Sequence, residues 1–256
     1  MIQLYSELSG NGEDLLVLLH GLGATADIWS SFLAARPAHW RGRILALDLP
    51  GHGSSDALDS YDMPAVASAV ATALSKRLGD ASRYRVLGHS YGGVVALELA
   101  RVQGLPAPDF VYGLGIKSVW TEQEIQGMRS LARKAPRIFT EEQEAAAWYR
   151  KVAGLSGMDT TVECSRRGIR AVAPGQWRLA VDPLVYAITP VDMATLVDAN
   201  RGRFALAYGA LDEMVSAGDL ARHDPSVTCL ASGGHNIMVD DPAAVWAWLG
   251  EHAGLA

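Results

Sequence analysis

Cysteine is scarce in this chain: there are two among 256 residues, Cys164 and Cys229. Two cannot make a disulfide framework for a fold this large, so a reducing compartment is expected. No run of about 20 apolar residues occurs, and no membrane span is expected. The opening MIQLYSELSGNGED lacks a basic head and a long apolar core and carries an early Glu7, unlike a secretory leader. A cytoplasmic location is the resulting expectation. Positive charge is in deficit, with 22 Lys and Arg against 28 Asp and Glu. The net charge of −6 argues against a broad surface for nucleic acid or anionic membrane. No His, Cys or Asp pair has metal-ligand spacing on a helix or strand, so no metal is expected; no cofactor is expected either. Repeats, low-complexity tracts and Pro/Ser-rich linkers are missing as well.

What is present is a globular composition, 49% hydrophobic and 20% charged, suited to one large α/β domain or a domain with an insert. Residues Ile2 to Leu8 alternate as a strand does, and Gly10-Asn11-Gly12 turns the chain. The run Leu15 to Leu19 is apolar throughout, as in a strand buried on both faces of a parallel sheet. It ends in His20-Gly21-Leu22-Gly23, after which Asp27 is placed to cap a short helix through Trp29 and Phe32. Arg43 to Asp48 forms another buried strand and leads into Leu49-Pro50-Gly51-His52-Gly53-Ser54-Ser55-Asp56. Pro64 opens a helix to about Leu78, with Val66, Val70 and Leu74 on one face. Alternation of strand and helix implies a mostly parallel sheet with helices on both sides.

The stretch Tyr84 to Leu99 carries the clearest chemical signal. A strand ends at Val86-Leu87, and a helix follows from Val94. The turn between them reads Gly88-His89-Ser90-Tyr91-Gly92, the pattern G-x-S-x-G. A serine on so sharp a turn exposes its hydroxyl, and the flanking glycines remove side chains that would clash. We read Ser90 as a nucleophile.

Regular alternation stops after Phe110 to Leu114 and Gly115, and the next strand-like run is Arg203 to Tyr208. About 85 residues intervene, too many for an ordinary connection. Thr121-x-x-Glu124 and Thr140-x-x-Gln143 read as capping boxes opening two helices. The second helix carries Ala145, Trp148, Tyr149 and Val152, and Gly154 ends it. A third helix is expected from Pro190 to about Val197 with Thr189 as its cap, and a further helix around Val162 to Val172. Trp120, Phe139, Trp148, Trp177 and Tyr186 supply large apolar groups. Most are expected to form the insert's own core, while Trp120, Trp148 and Tyr186 are taken as substrate-facing. The insert, 117–199, is read as a mainly helical lid over a core of 1–116 and 200–256. After it come a loop with Asp212, a short helix near Ala217 to Arg222, a last strand Val227 to Ala231, Gly234-His235 and a terminal helix.

A serine hydroxyl needs a base, and the base needs a third group to hold it. Working residues in open α/β sheets collect at the carboxyl ends of strands. Asp212 lies four residues past Tyr208, and His235 four past Ala231. The chain order is nucleophile, acid, base.

At this point the chain resembles the α/β-hydrolase family along nearly all its length outside the insert. The matching motifs are His20-Gly21, Asp48-x-Pro50-Gly51-His52-Gly53-x-Ser55, Gly88-x-Ser90-x-Gly92, Gly209-x-x-Asp212-x-x-Val215 and Gly234-His235. The resemblance implies a helical lid inserted after the sixth strand of that fold. It also implies that Ser90 attacks, that His235 takes and returns the proton, and that Asp212 orients His235. The backbone N–H groups of Leu22 and Tyr91 would form the oxyanion hole.

The other histidines and acids receive plainer readings. His20 braces the oxyanion loop and His52 its glycine-rich loop, and His89 points away from Ser90. His39, His223 and His252 lie on the surface. Glu213 and Asp219 are reserves for Asp212, and Asp240 and Asp241 cap the terminal helix. One rival reading sees Gly21-Leu22-Gly23-Ala24-Thr25-Ala26 with Asp48 as a dinucleotide fingerprint, but it leaves Ser90, Asp212 and His235 unexplained. Another sees a non-catalytic ligand-binding protein on the same fold. The preferred expectation is a serine hydrolase acting on small to medium apolar carboxylic esters. Its motivation is an aromatic lid without a basic cluster to greet anions. Thioesterase, lactonase, acyltransferase and carbon–carbon bond hydrolase chemistry would use the same three residues.

Overall fold

The structure, a computed structural model, describes residues 2–78, 83–156 and 167–252. The chain opens with β1 (Ser6–Ser9) and β2 (Leu15–Leu19), and a 3-10 turn at Ala26–Trp29 leads into α1 (Ser30–Ala34). There follow β3 (Arg43–Leu47), α2 (Met63–Leu78), β4 (Tyr84–His89), α3 (Tyr91–Glu98) and β5 (Phe110–Leu114). The insert contributes α4 (Glu122–Ala132), α5 (Glu142–Val152) and the antiparallel hairpin of β6 (Ile169–Ala173) and β7 (Gln176–Leu179). Then come a 3-10 turn at Pro183–Tyr186, α6 (Met193–Ala199), β8 (Phe204–Gly209) and α7 (Ala217–Ala221). The chain closes with β9 (Thr228–Leu230), α8 (Ile237–Asp240) and α9 (Pro242–Glu251).

Seven strands form one sheet in the order β1-β3-β2-β4-β5-β8-β9, with only the β1–β3 pair antiparallel. This is an α/β-hydrolase fold. The continuous apolar runs make sense because alternate side chains of a strand face opposite layers. Leu15, Val17 and Leu19 of β2 pack with Val66, Val70 and Leu74 of α2 and with α3. Leu16 and Leu18 face the other layer, with Phe32 of α1 and Trp246 and Trp248 of α9. There Phe32 and Trp246 stack with ring centres 4.3 Å apart, and the Trp246 indole N–H donates to the Phe32 carbonyl at 2.8 Å. Met193 and Leu196 of α6 pack with α2 and α3 rather than with the rest of the insert.

Several local expectations give way. Thr121 does make its capping box with Glu124, but α5 starts at Glu142 with Glu141 before it and no side-chain cap, so the Thr140 box does not form. The third insert helix begins at Met193, because the Asp192 carboxylate accepts from the amides of Ala194 and Thr195 and outcompetes Thr189. Residues 169–172 are strand, not helix, since Pro174-Gly175 turns the chain back and Gly175 takes φ 68°. Residues 162–166 of that expected helix lie outside the described residues. Asp27 caps nothing. It sits inside the 3-10 turn, and its carboxylate accepts from the backbone N–H of Arg167 at 2.6 Å. Among the described residues no helix is long and apolar enough to cross a membrane.

Candidate active site

β4 ends the sheet's central run, and the chain must reverse at its tip to enter α3. Ser90 takes up that reversal with φ 50° and ψ −117°, the one positive-φ non-glycine residue among those described. Such a conformation strains any residue bearing a Cβ. Gly88 and Gly92 permit it: a Cβ at Gly88 would strike the Gly92 carbonyl, and one at Gly92 the carbonyls of Leu19 and His20. The Ser90 amide donates to the Leu114 carbonyl at 2.8 Å, locking the turn to the neighbouring strand.

The neighbouring tip, that of β2, carries Gly21-Leu22-Gly23. Strand order reverses direction between β2 and β4, which opens a crevice above their carboxyl ends. Among the described residues neither the Leu22 nor the Tyr91 backbone N–H has an acceptor, and both residues line the same cavity as Ser90. Two neutral imidazoles hold this loop. The His20 Nδ1–H donates to the Gly21 carbonyl at 2.8 Å, and its Nε2 accepts from the Leu49 amide at 2.9 Å. The His52 Nδ1–H donates to the Pro50 carbonyl at 2.9 Å, and its Nε2 accepts from the Gly23 amide at 3.1 Å. Burial lowers His20 to about 4, and burial with the nearby His20 ring lowers His52 to about 3.

These two rings make a stability prediction. In the unfolded chain both titrate near the ordinary value of about 6.5, so below that pH the unfolded state binds more protons than the folded one. Stability is therefore complete above about pH 6.5 and falls as pH drops through the window toward 4 and 3. His20 alone accounts for about 3 kcal/mol at pH 4. Urea midpoints are expected to fall steadily from pH 6.5 to 5, with a shallower fall in His52→Gln, whose amide does not titrate.

Past β8 and β9 stand Asp212 and His235, the expected acid and base. The His235 Nδ1–H donates to Asp212 Oδ2 at 2.9 Å, and Asp212 Oδ1 accepts from the Met214 amide at 2.9 Å. The Asp212 side chain is fully buried, while His235 is one-fifth exposed toward the cavity. The carboxylate thus faces only hydrogen-bond donors, and the imidazole leaves Nε2 for the cavity. The geometry brings Ser90 and His235 to one cavity wall without a hydrogen bond between them; such contacts commonly tighten only around substrate.

The cavity holds about 1000 Å³ and lies between the strand tips and the insert. Trp120, Trp148 and Tyr186 all line it, whereas Phe139 is buried in the insert and paired by its backbone with Trp177. Its wall also carries Lys117, Lys134 and Arg137, a cationic element that corrects the expectation of a lid without one. Lys117 is paired with Glu124 and lies over the Trp120 ring, and Arg137 pairs with Glu144 at 2.9 Å and covers Trp148. Lys117 and Arg137 were hard to anticipate because each lies in a loop and takes its acidic partner from the helix that follows, Glu124 of α4 and Glu144 of α5.

Other side chains hold the insert in place and carry no pattern of their own. Asn236, next to His235, donates through Nδ2 to the carbonyls of Ala153 at 2.9 Å and Gly154 at 3.0 Å, tying the end of α5 to the histidine loop. Arg167 lies within 2.7 Å of Glu7, 2.6 Å of Asp27 and 3.6 Å of Asp48. Asp48 itself is fully buried and accepts from the amides of Ala26 and Ser54, so it is not presented to a ribose as the dinucleotide rival requires. Asp241 caps α9, but Asp240 accepts from the Gly234 amide at 2.8 Å and steadies the histidine loop instead. Asp219 pairs with Arg222. His39 is exposed, yet His252 is half-buried against Phe110 and Trp248 because the end of α9 folds over the start of β5. His89 lines the cavity, and its ring lies against that of His235.

Residues 16–248 match the model of the alpha/beta hydrolase family, and the chain belongs to that family. Among curated proteins it is similar to protein phosphatase methylesterase 1 of Mus musculus, 28% identical over 155 residues covering 59% of this chain and 40% of that protein. It is also 38% identical over 102 residues to pimeloyl-[acyl-carrier protein] methyl ester esterase of Methylococcus capsulatus, covering 39% of this chain and 35% of that one. The chain thus spans about two fifths of the length of the curated relatives it matches. Among solved structures, E-2-(acetamidomethylene)succinate hydrolase superposes with a TM-score of 0.77 at 17% identity, covering 98% of this chain and 94% of the other.

Proposed function

We propose that this chain is a serine hydrolase that cleaves carboxylic esters of small to medium apolar groups through an acyl-enzyme on Ser90. The observation that carries this reading is the meeting, at one cavity, of a strained, cavity-lining Ser90, an Asp212–His235 hydrogen-bonded pair and two amides without an acceptor among the described residues. Two matched relatives named as methyl ester hydrolyses' catalysts, a methylesterase and a methyl ester esterase, favour the ester bond among the possible acyl derivatives.

In the proposed cycle, His235 Nε2 takes the Ser90 proton as Oγ attacks the ester carbonyl. The developing oxyanion is met by the amides of Leu22 and Tyr91, each donor contributing on the order of 3 kcal/mol. Asp212 holds the imidazole in the Nδ1–H tautomer and stabilises its cationic form. The protonated His235 then gives its proton to the leaving alcohol. A water activated by His235 releases the acid and restores Ser90. No cofactor takes part in this scheme. The insert, 117–199, serves as the lid, and Trp120, Trp148 and Tyr186 hold the apolar part of the substrate. Tyr186 lines the cavity, and burial pushes its hydroxyl up to about 12.

A series of p-nitrophenyl esters of rising chain length tests the reading. Turnover is expected to peak at about four to eight acyl carbons, as a largely apolar cavity of this size would favour. Failure to turn over any member, with thioesters of matched length hydrolysed instead, would move the assignment to a thioesterase.

A further inference from the structure

His89 precedes the nucleophile in sequence and touches the base in space. Its ring is deeply buried, with Nε2 2.8 Å from the backbone carbonyl oxygen of His235 and its ring centre 4.7 Å from the His235 ring centre. A carbonyl oxygen only accepts, so Nε2 carries the proton and donates it. That assignment leaves Nδ1 as a bare acceptor, and among the described residues Nδ1 has no partner. It faces the oxyanion loop: a Cβ at Gly21 would stand 2.8 Å from Nδ1 and 3.4 Å from the Ser90 Cβ. The ring is therefore wedged between the loop that carries Leu22 and the loop that carries His235, on a stem fixed by β4.

We propose that His89 is a positioning residue: its Nε2–H to the His235 carbonyl sets the height of the base above the nucleophile. The inference rests on the hydrolase reading above and adds a residue to it. The need for such a tie is visible in the loop itself. Ser232-Gly233-Gly234 leads into His235, Gly233 has φ 76°, and a backbone of this kind has few intrinsic restraints. Asp240 holds the Gly234 amide and Asp212 holds the His235 side chain, but among the described residues only His89 links the His235 main chain to β4, the strand that leads into Ser90. A neutral ring is also required here. A second proton on Nδ1 would have no acceptor against Gly21 and would place a positive charge beside an imidazole that must itself become positive during turnover. Burial, followed by the neighbouring His235, holds His89 well below the usual histidine range, in keeping with that geometry.

The test compares three variants on one ester: His89→Gln, whose amide can put an N–H near the position of Nε2; His89→Phe, which keeps ring volume without a donor; and His89→Asn, which is polar but too short. The expected result is a fall in kcat of about tenfold to a hundredfold in His89→Phe and His89→Asn, with KM within about twofold, because an ångström of misplacement is felt in the transition state. His89→Gln is expected to recover most of the loss. The low-field proton resonance of the His235–Asp212 hydrogen bond should be sharp in the wild type and His89→Gln and broadened in His89→Asn. Equal kcat in all variants, or equal loss in His89→Gln and His89→Asn, would overturn the proposal. If His89→Phe does not fold, the Gln and Asn pair decides. Absence of turnover in the wild type would instead count against the hydrolase reading, and the resonance comparison would still decide the role of His89.

Discussion

Replacing Ser90 by alanine is expected to lower ester turnover by about 10⁴- to 10⁶-fold, the scale on which removing a serine nucleophile acts in such sites. The chain should still fold, because the turn is fixed by Gly88, by Gly92 and by the Ser90 amide, none of which the substitution touches. Alanine inherits the φ of 50° and gains nothing in stability. Glycine at the same position should separate function from stability more sharply. A backbone outlier of this kind costs about 1–3 kcal/mol, and glycine removes it at an entropic cost of about 0.5–1 kcal/mol. Ser90→Gly is thus expected to be as inactive as Ser90→Ala and more stable than the wild type by about 1 kcal/mol, which for a chain of this size raises Tm by about 2–4 °C. Kinetics on a medium-chain ester and thermal melts of the three proteins measure both effects. A Ser90→Ala variant that retains a tenth of wild-type turnover would remove Ser90 from the chemistry.

Asp212→Asn is expected to cost about 10⁴-fold in kcat, through a proton placed on the wrong nitrogen. The two carboxylate oxygens of Asp212 each accept one N–H, from His235 Nδ1 and from the Met214 backbone. An asparagine has one acceptor and one donor end. If its oxygen keeps the Met214 amide, its NH₂ faces Nδ1, and the imidazole must carry its proton on Nε2, where it can no longer take one from Ser90. If the amide flips, a buried N–H opposes the Met214 N–H, a repulsion costing about 1–3 kcal/mol. Either way, base catalysis or local order is lost. Neighbouring Glu213 cannot substitute, because the turn after Gly209 sets only Asp212 against His235. Steady-state rates near neutral pH provide the measurement, and a loss under tenfold would mean that His235 is oriented by something else.

These two residues and Ser90 are readable in the sequence because each depends on a local rule. A strand, a glycine-rich turn and a polar residue at its tip recur at Gly88 to Gly92, at Gly209 to Asp212 and at Gly234-His235, and parallel strands bring such tips to one edge. The sheet is equally readable, since Leu15 to Leu19 and its counterparts are apolar on both faces. Elements decided by distant partners are not. Asn236 holds carbonyls 82 and 83 positions away, and Arg167 reaches Glu7 across 160. Between these extremes lie errors of local competition. Asp192 outcompetes Thr189 as a cap, Glu141 rather than Thr140 precedes α5, and Pro174-Gly175 turns a presumed helix into a hairpin. His89 was readable as part of the elbow, but its partner, a backbone carbonyl 146 residues away, was not.

The claim that Ser90 forms a covalent acyl intermediate is open to one direct measurement. A fluorophosphonate ester, which traps activated serines, should add a single mass increment per chain, on the peptide carrying Ser90, as ester turnover falls to zero. Turnover that stops with the label on a different residue, or continues with Ser90 fully labelled, would contradict the account.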